Sequence, residues 1–187
     1  MNTRHLLPLI ALSLLPGMAF AHPGHTENGL AAGLLHPLTG FDHLLAMLAI
    51  GIWAALQPKA MKLALPAGFL VALMAGFAMG VMGTGLPLVE TGIALSVLLL
   101  GLLIASAVRL PALLALLLAA TFAIFHGYAH GAEFTGGMLA FAAGFALSSL
   151  GLHLSGGLLT AAANRSLPLV ARSVGAVIAA SGALMLV

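Results

Sequence analysis

The sequence predicts an all-α, polytopic membrane bundle of six transmembrane helices behind a cleavable signal peptide, with both mature termini outside. Three observations carry that expectation. Hydrophobic residues make up 62% of the 187 residues and charged residues only 5%. The mean hydropathy is +1.20. The basic residues recur at alternate turns of the chain. A soluble domain carries about 25% charged residues. Six lysines and arginines and four carboxylates cannot cover a water-facing surface of this length. An ordinary soluble enzyme, a disordered chain and a nucleic-acid binder are thereby excluded. The net charge of +2 rests on too few groups to suggest nucleic acid. No cysteine is present, which removes disulfides, thiolate metal sites and cysteine nucleophiles.

Residues 1–21 read as a secretory signal. Arg4 and His5 give a positive start, Leu6 to Gly17 a short apolar stretch, and Ala19-Phe20-Ala21 a small-x-small cleavage site. The stretch is shorter than the roughly 20 residues that span a bilayer. Residues 22–187 then form one transport-sized membrane domain whose mature N-terminus, His22, lies outside a bacterial inner membrane. Spans are expected near 36–56, 63–83, 87–108, 111–132, 136–156 and 167–187, separated by Gln57-Pro58-Lys59, Gly83-Thr84-Gly85, Arg109-Leu110-Pro111, Phe134-Thr135-Gly136 and a loop around Asn164-Arg165. Six passes that start outside also end outside. Lys59, Lys62, Arg109, Arg165 and Arg172 then all fall at cytoplasmic ends, as the positive-inside bias requires.

Glycine is abundant, with 23 residues. Gly76-Phe77-Ala78-Met79-Gly80 and Gly127-Tyr128-Ala129-His130-Gly131 are small-xxx-small patterns that let helix backbones approach closely in lipid. His-Pro and His-Gly segments in spans 1 and 4 hint at two three-helix halves.

The chemistry sits in a few polar groups. Ionisable residues inside a membrane are costly and usually face the bundle interior. Span 1 opens with His36-Pro37-Leu38-Thr39-Gly40-Phe41-Asp42-His43, span 3 has Glu90 near its outer end, and span 4 ends with Phe125-His126-Gly127-Tyr128-Ala129-His130-Gly131-Ala132-Glu133. At 1.5 Å per residue, Asp42, His43 and His126 lie about 10 Å below the outer surface, with His130 a turn shallower. Glu90 and Glu133 stand at the mouth. His126 and His130 share a face, and Glu133 continues their stripe. His36 and His43 are seven apart, with Pro37 and Gly40 as candidate breaks between them. Asp42 is set to bind directly or to hold a neighbouring ligand. Imidazole with carboxylate and no thiolate suits Ni(II), Zn(II), Cu(II) or Co(II). Carboxylates fix histidine tautomers, and protonation of the ligands competes with the metal.

Other polar groups are weaker candidates. His153 stands alone near the cytoplasmic end of span 5 and is expected to snorkel to the interface rather than to serve as an exit ligand. Met74, Met79 and Met82 are expected to pack. His22-Pro23-Gly24-His25 with Glu27 is a small external cluster, either a flexible tail or a metal pre-capture site.

The first signature resembles the HPxxGxDH motif of the HupE/UreJ family of nickel permeases, and Phe125 to Glu133 resembles that family's FHGxAHGxE motif. The likeness extends over the mature chain. It implies a secondary permease that imports Ni(II) as transported substrate for metalloenzymes such as hydrogenase or urease. It also implies functional roles for His36, Asp42, His43, His126, His130 and Glu133. Glu90 is added from depth and charge alone. No cofactor is expected as a catalyst. The expected partners are a divalent cation, nickel first, and the lipid bilayer, with homo-oligomerisation left open. The competing readings are transport of Co, Cu or Zn, an intramembrane zinc-dependent hydrolase, and a metal sensor or structural partner of a larger complex. The sequence carries no G-x-x-x-x-G-K-[ST], no H-E-x-x-H and no G-x-S-x-G, so neither ATP hydrolysis nor a familiar protease motif is expected.

Overall fold

The computed structural model describes residues 29–133, 137–162 and 167–187. The expected signal peptide, the His22–Glu27 cluster, the Phe134–Gly136 loop and the Asn164-Arg165 loop lie outside the described residues. Within them the chain is all helical, without strands: α1 (Leu30–Thr39), α2 (Phe41–Leu56), α3 (Met61–Val81), α4 (Val89–Ala105), α5 (Ala112–Glu133), α6 (Met138–Ala162) and α7 (Leu167–Leu184). Helices α3, α5 and α6 are each long and apolar enough to cross a membrane. Helices α1 and α2 pass the same test only as a pair, and α4 and the apolar part of α7 are shorter.

The first expected span, 36–56, is redrawn. Helix begins at Leu30, stops at Thr39, and restarts at Phe41 with a bend of 84°. Pro37 has no N–H to donate and so weakens α1 from within. Gly40 then takes an extended conformation (φ −81°, ψ 113°). Its N–H closes α1 on the His36 carbonyl at 3.1 Å, while its carbonyl accepts the Leu44 N–H at 2.8 Å to open α2.

Helix pairing is set by glycine. Helix α3 packs most extensively on α5, α4 on α7, and the bent α1–α2 pair on α6. In the α3–α5 seam, a Cβ on Gly76 would strike the Ile124 carbonyl and one on Gly80 the Tyr128 carbonyl. Reciprocally, a Cβ on Gly127 would strike the Leu73 carbonyl and one on Gly131 the Phe77 carbonyl. The two small-xxx-small patterns therefore pack against each other, as backbone contact in lipid favours. Gly33 abuts the backbone at Phe141, and Gly51 abuts the carbonyl of His153. Each extensive pairing joins one of the first three expected spans to one of the last three, so two separate three-helix halves do not form.

The ends of the bundle are distinct. Arg109 Nε donates to the Leu56 carbonyl (3.2 Å), Arg172 Nε to the Ala105 carbonyl (2.8 Å), and Trp53 Nε1 and Gln57 Nε2 to the Val108 carbonyl (3.2 and 3.1 Å). These bonds tie the α2–α3 and α4–α5 connections to the start of α7, making a basic end with Lys59 on the first connection and Lys62 in the first turn of α3. At the opposite, acidic end the α3–α4 connection is held to α5 by the Gly85 N–H donating to Tyr128 Oη (3.1 Å). Arg165 lies outside the described residues.

Candidate metal-binding site

Four imidazoles from three helices form a row near the acidic end. His36 comes from α1, His43 from α2, and His130 and His126 from successive turns of α5. Ring centroids are 4.2 Å apart for His36–His130, 4.2 Å for His130–His43 and 4.5 Å for His43–His126. The break at Gly40 makes this compact. Seven residues of straight helix would separate His36 and His43 by about 10 Å along the axis, whereas their centroids are 6.3 Å apart. Gly127 and Gly131 seat the backbone on either side of His130 directly on α3. His43, His126 and His130 are buried, His36 half-buried. Phe145 of α6 seals one side, its ring 4.8 Å from that of His130.

Tautomers follow from the partners. Asp42, in the first turn of α2, accepts the His43 backbone N–H at 2.8 Å and faces His43 Nδ1 at 2.9 Å with the same oxygen. A carboxylate only accepts, so His43 carries its proton on Nδ1 and presents a lone pair at Nε2. That lone pair meets His130 Nε2 at 2.5 Å, so His130 donates. The Ser96 hydroxyl of α4 donates to the Ile93 carbonyl (2.7 Å) and sits 2.8 Å from His126 Nε2. A hydroxyl has one hydrogen, so His126 Nε2–H is the donor there and His126 Nδ1 is left as a bare lone pair. That Nδ1 is buried without a hydrogen-bond partner.

Asp42 thus acts on His43 from behind, the arrangement that fixes a metal-ligating imidazole and raises its basicity. In this conformation, among the described residues, no group of three or more His, Asp or Glu side chains is arranged to hold an ion. The reason is visible at His43 and His130. Two imidazole nitrogens bound tetrahedrally at about 2.0–2.1 Å to one cation stand about 3.3 Å apart. At 2.5 Å the gap fits a proton and nothing larger.

The remaining expected site residues stay apart. Glu90, in the first turn of α4, and Glu133, the last residue of α5, are exposed. Neither has an ion pair with any described residue. Helical phase aligns Glu133 with His126, but α3 ends at Val81, whose backbone lies beside Gly131, and Glu133 stands two residues further along α5. His153 overturns the expectation of snorkelling: it is 1% exposed and edge-on to Phe69 of α3 at 5.2 Å. Its backbone lies against Gly51, a contact too close for the helix to turn that face outward. Met74 packs on the core as expected, while Met82 is exposed.

A model of the HupE / UreJ protein family matches residues 10–185. The chain belongs to the HupE/UreJ family. It is also 40% identical over 182 residues to "Protein HupE" of Rhizobium leguminosarum bv. viciae, the match covering 95% of each chain. No solved structure matches.

Beyond the two HupE/UreJ signatures, sequence reasoning missed Ser96. Its signal was present: it is the one polar side chain between Thr91 and Ser106 in an otherwise apolar helix. Phe145 and Phe69 gave no signal, since aromatic residues in an apolar span read as packing.

Proposed function

We propose that this protein is a secondary permease of the bacterial inner membrane that imports Ni(II) for the maturation of metalloenzymes such as hydrogenase or urease. The observation that carries the reading is a row of four imidazoles, three of them buried and one backed by a carboxylate, inside a bundle otherwise made of apolar helices. Nothing in lipid-facing packing needs such a row, and imidazole nitrogen is a preferred ligand of Ni(II). Membership of the HupE/UreJ family supports the same reading.

The reading includes removal of residues 1–21 and six crossings of a domain comprising 22–187, with the acidic end outside. The alternation of acidic and basic ends supports that topology. The 17 residues of α4 are about 25 Å long at 1.5 Å per residue, close to the hydrocarbon thickness of about 30 Å. Exposed Glu90 and Glu133 give the outer mouth negative charge, which raises the local concentration of a dication. The cation then sheds water against His36, His43, His126 and His130. Entry requires the His130–His43 hydrogen bond to open and the shared proton to leave or move to the other ring nitrogen, so binding and proton position are linked. Asp42 offsets part of the charge carried into a low-dielectric site.

The test is nickel uptake by cells with and without the protein, then with His43→Ala. Uptake that depends on the protein and collapses in the variant is the expected result. Uptake indifferent to both would remove the reading.

A further inference from the structure

Below the imidazole row, on the basic side, lies a second set of buried polar atoms. His153 of α6 is 1% exposed and neither of its ring nitrogens has a partner. Ser149 is fully buried and its Oγ also has none. The two are four residues apart on one helix and so share a face. The other buried serine and threonine hydroxyls behave differently: Ser96, Thr160 and Ser181 each donate to a carbonyl of their own helix. Buried polar groups are normally paired, and leaving them unpaired is costly. Ser149 and His153 therefore hold buried polar atoms that no other group among the described residues engages.

The surroundings indicate what would engage them. The ring of Phe69 is the shared neighbour of the two regions, with centroids 6.4 Å from His126 and 5.2 Å from His153. His126, whose Nδ1 is the bare lone pair of the outer row, is thus the member of that row that adjoins Phe69. On the other side His153 lines a groove of about 510 Å³ between α2, α3 and α6, bounded by Gly51, Leu70, Gly157 and Ala161 and reaching Lys62 at the basic end. The groove holds no carboxylate. An imidazole and a hydroxyl suit a borderline divalent cation that keeps some of its water. A neutral donor set facing a lysine binds such a cation more weakly than a row containing Asp42, as release requires.

We propose that Ser149 and His153 form a second, low-affinity stop for the transported divalent cation, separated from the outer imidazole row by Phe69 and opening through the groove to the basic end. The proposal rests on the permease reading above.

The experiment uses full-length protein purified in detergent and reconstituted in liposomes, with Ni²⁺ alone as the probe. Equilibrium binding and flux are measured for the wild type, His43→Ala, His153→Phe and Ser149→Ala. Phenylalanine matches the ring size of histidine and suits the apolar surroundings. Two classes of site are expected in the wild type. His153→Phe should keep the tight class, lose the weak one and reduce flux at least tenfold. Ser149→Ala should reduce flux severalfold, and His43→Ala should lose the tight class while retaining the weak one. If His153→Phe fails to give monodisperse protein, Ser149→Ala and His153→Asn decide by the same criteria. Wild-type flux in His153→Phe, with flux lost in His43→Ala, would overturn the inner stop alone and leave a water-filled pocket. Wild-type flux in both variants would overturn the imidazole row as the transport site, and wild-type flux no greater than that of protein-free liposomes would overturn the permease reading itself. Loss of both binding classes from well-folded His153→Phe would show one continuous site and also overturn the proposal.

Discussion

The outer row and the inner pair use the same ligand, imidazole, under opposite constraints. In the outer row His43 has both ring nitrogens engaged, by Asp42 and by His130, and His126 is fixed through Ser96. At the inner site His153 has neither nitrogen engaged and no acidic neighbour along its groove. Two nitrogens that must part before an ion enters make a site that is selective and slow to fill. Nitrogens that wait unpartnered make a site that fills without rearrangement and holds loosely. A transport path needs the first where the ion is captured and the second where it is let go.

The largest effect expected from breaking this contrast is at His130, which bridges His36 and His43 in the row. His130→Phe keeps a ring against Phe145 but removes both nitrogens. Losing a direct ligand should weaken Ni²⁺ binding on the order of a hundredfold or more, beyond the 10–100-fold typical of losing a supporting group. Binding near wild type would mean that the row is packing.

Asp42→Asn comes next. The amide keeps the shape and can still accept the His43 backbone N–H, but it carries no charge to hold the Nδ1 proton. Nickel affinity should fall about 10–100-fold, with little change in thermal stability. If stability falls as much as affinity, Asp42 is serving chiefly as the first-turn acceptor of α2.

The contrast also shows why some of the site was legible in the sequence and some was not. His126 and His130 were legible because an unbroken helix fixes their phase, and Gly127 and Gly131 announce the face that meets α3. The Asp42–His43 pair was legible as chemistry, but its geometry depends on Gly40, where a kink expected from composition became a bend of 84°. Glu90 and Glu133 were legible as residues of the mouth, where both are exposed, although helical phase alone says nothing about where the neighbouring helices stop. His153 was misread because its depth depends on the approach of Gly51 to its backbone, and a glycine about a hundred residues away in a glycine-rich sequence does not reveal its partner. Six apolar segments followed from hydropathy, and helices lie on each of them, but the division of the first into α1 and α2 did not follow. Nor did the pairing order of the helices, since every seam uses the same small residues.

Ser96→Ala should have a smaller effect. The hydroxyl only selects the tautomer of His126, and without it the ring can present either nitrogen. A severalfold loss in nickel affinity is expected, at or below the lower end of what a supporting hydrogen bond contributes. Since the hydroxyl also satisfies the Ile93 carbonyl only secondarily to the helix, folding should be unaffected. An unchanged affinity would mean that His126 lies outside the set of ligands.

The smallest effect tests the inner side. Lys62 is exposed and lines the groove that His153 shares. An ammonium facing an arriving dication shortens its stay, yet the interaction is partly screened, since the Debye length is about 8 Å at physiological ionic strength. Lys62→Gln should therefore strengthen the weak class of Ni²⁺ binding about twofold, without altering the tight class near Asp42, whose distance from the basic end puts it beyond that screening length. The sign matters more than the size. Strengthening confined to the weak class places Lys62 and the inner ligands on one path, and the effect should shrink as salt is raised. Strengthening of both classes would mean that the charge acts on the molecule as a whole, and weakening of either would mean that Lys62 holds an anion rather than repels the cargo.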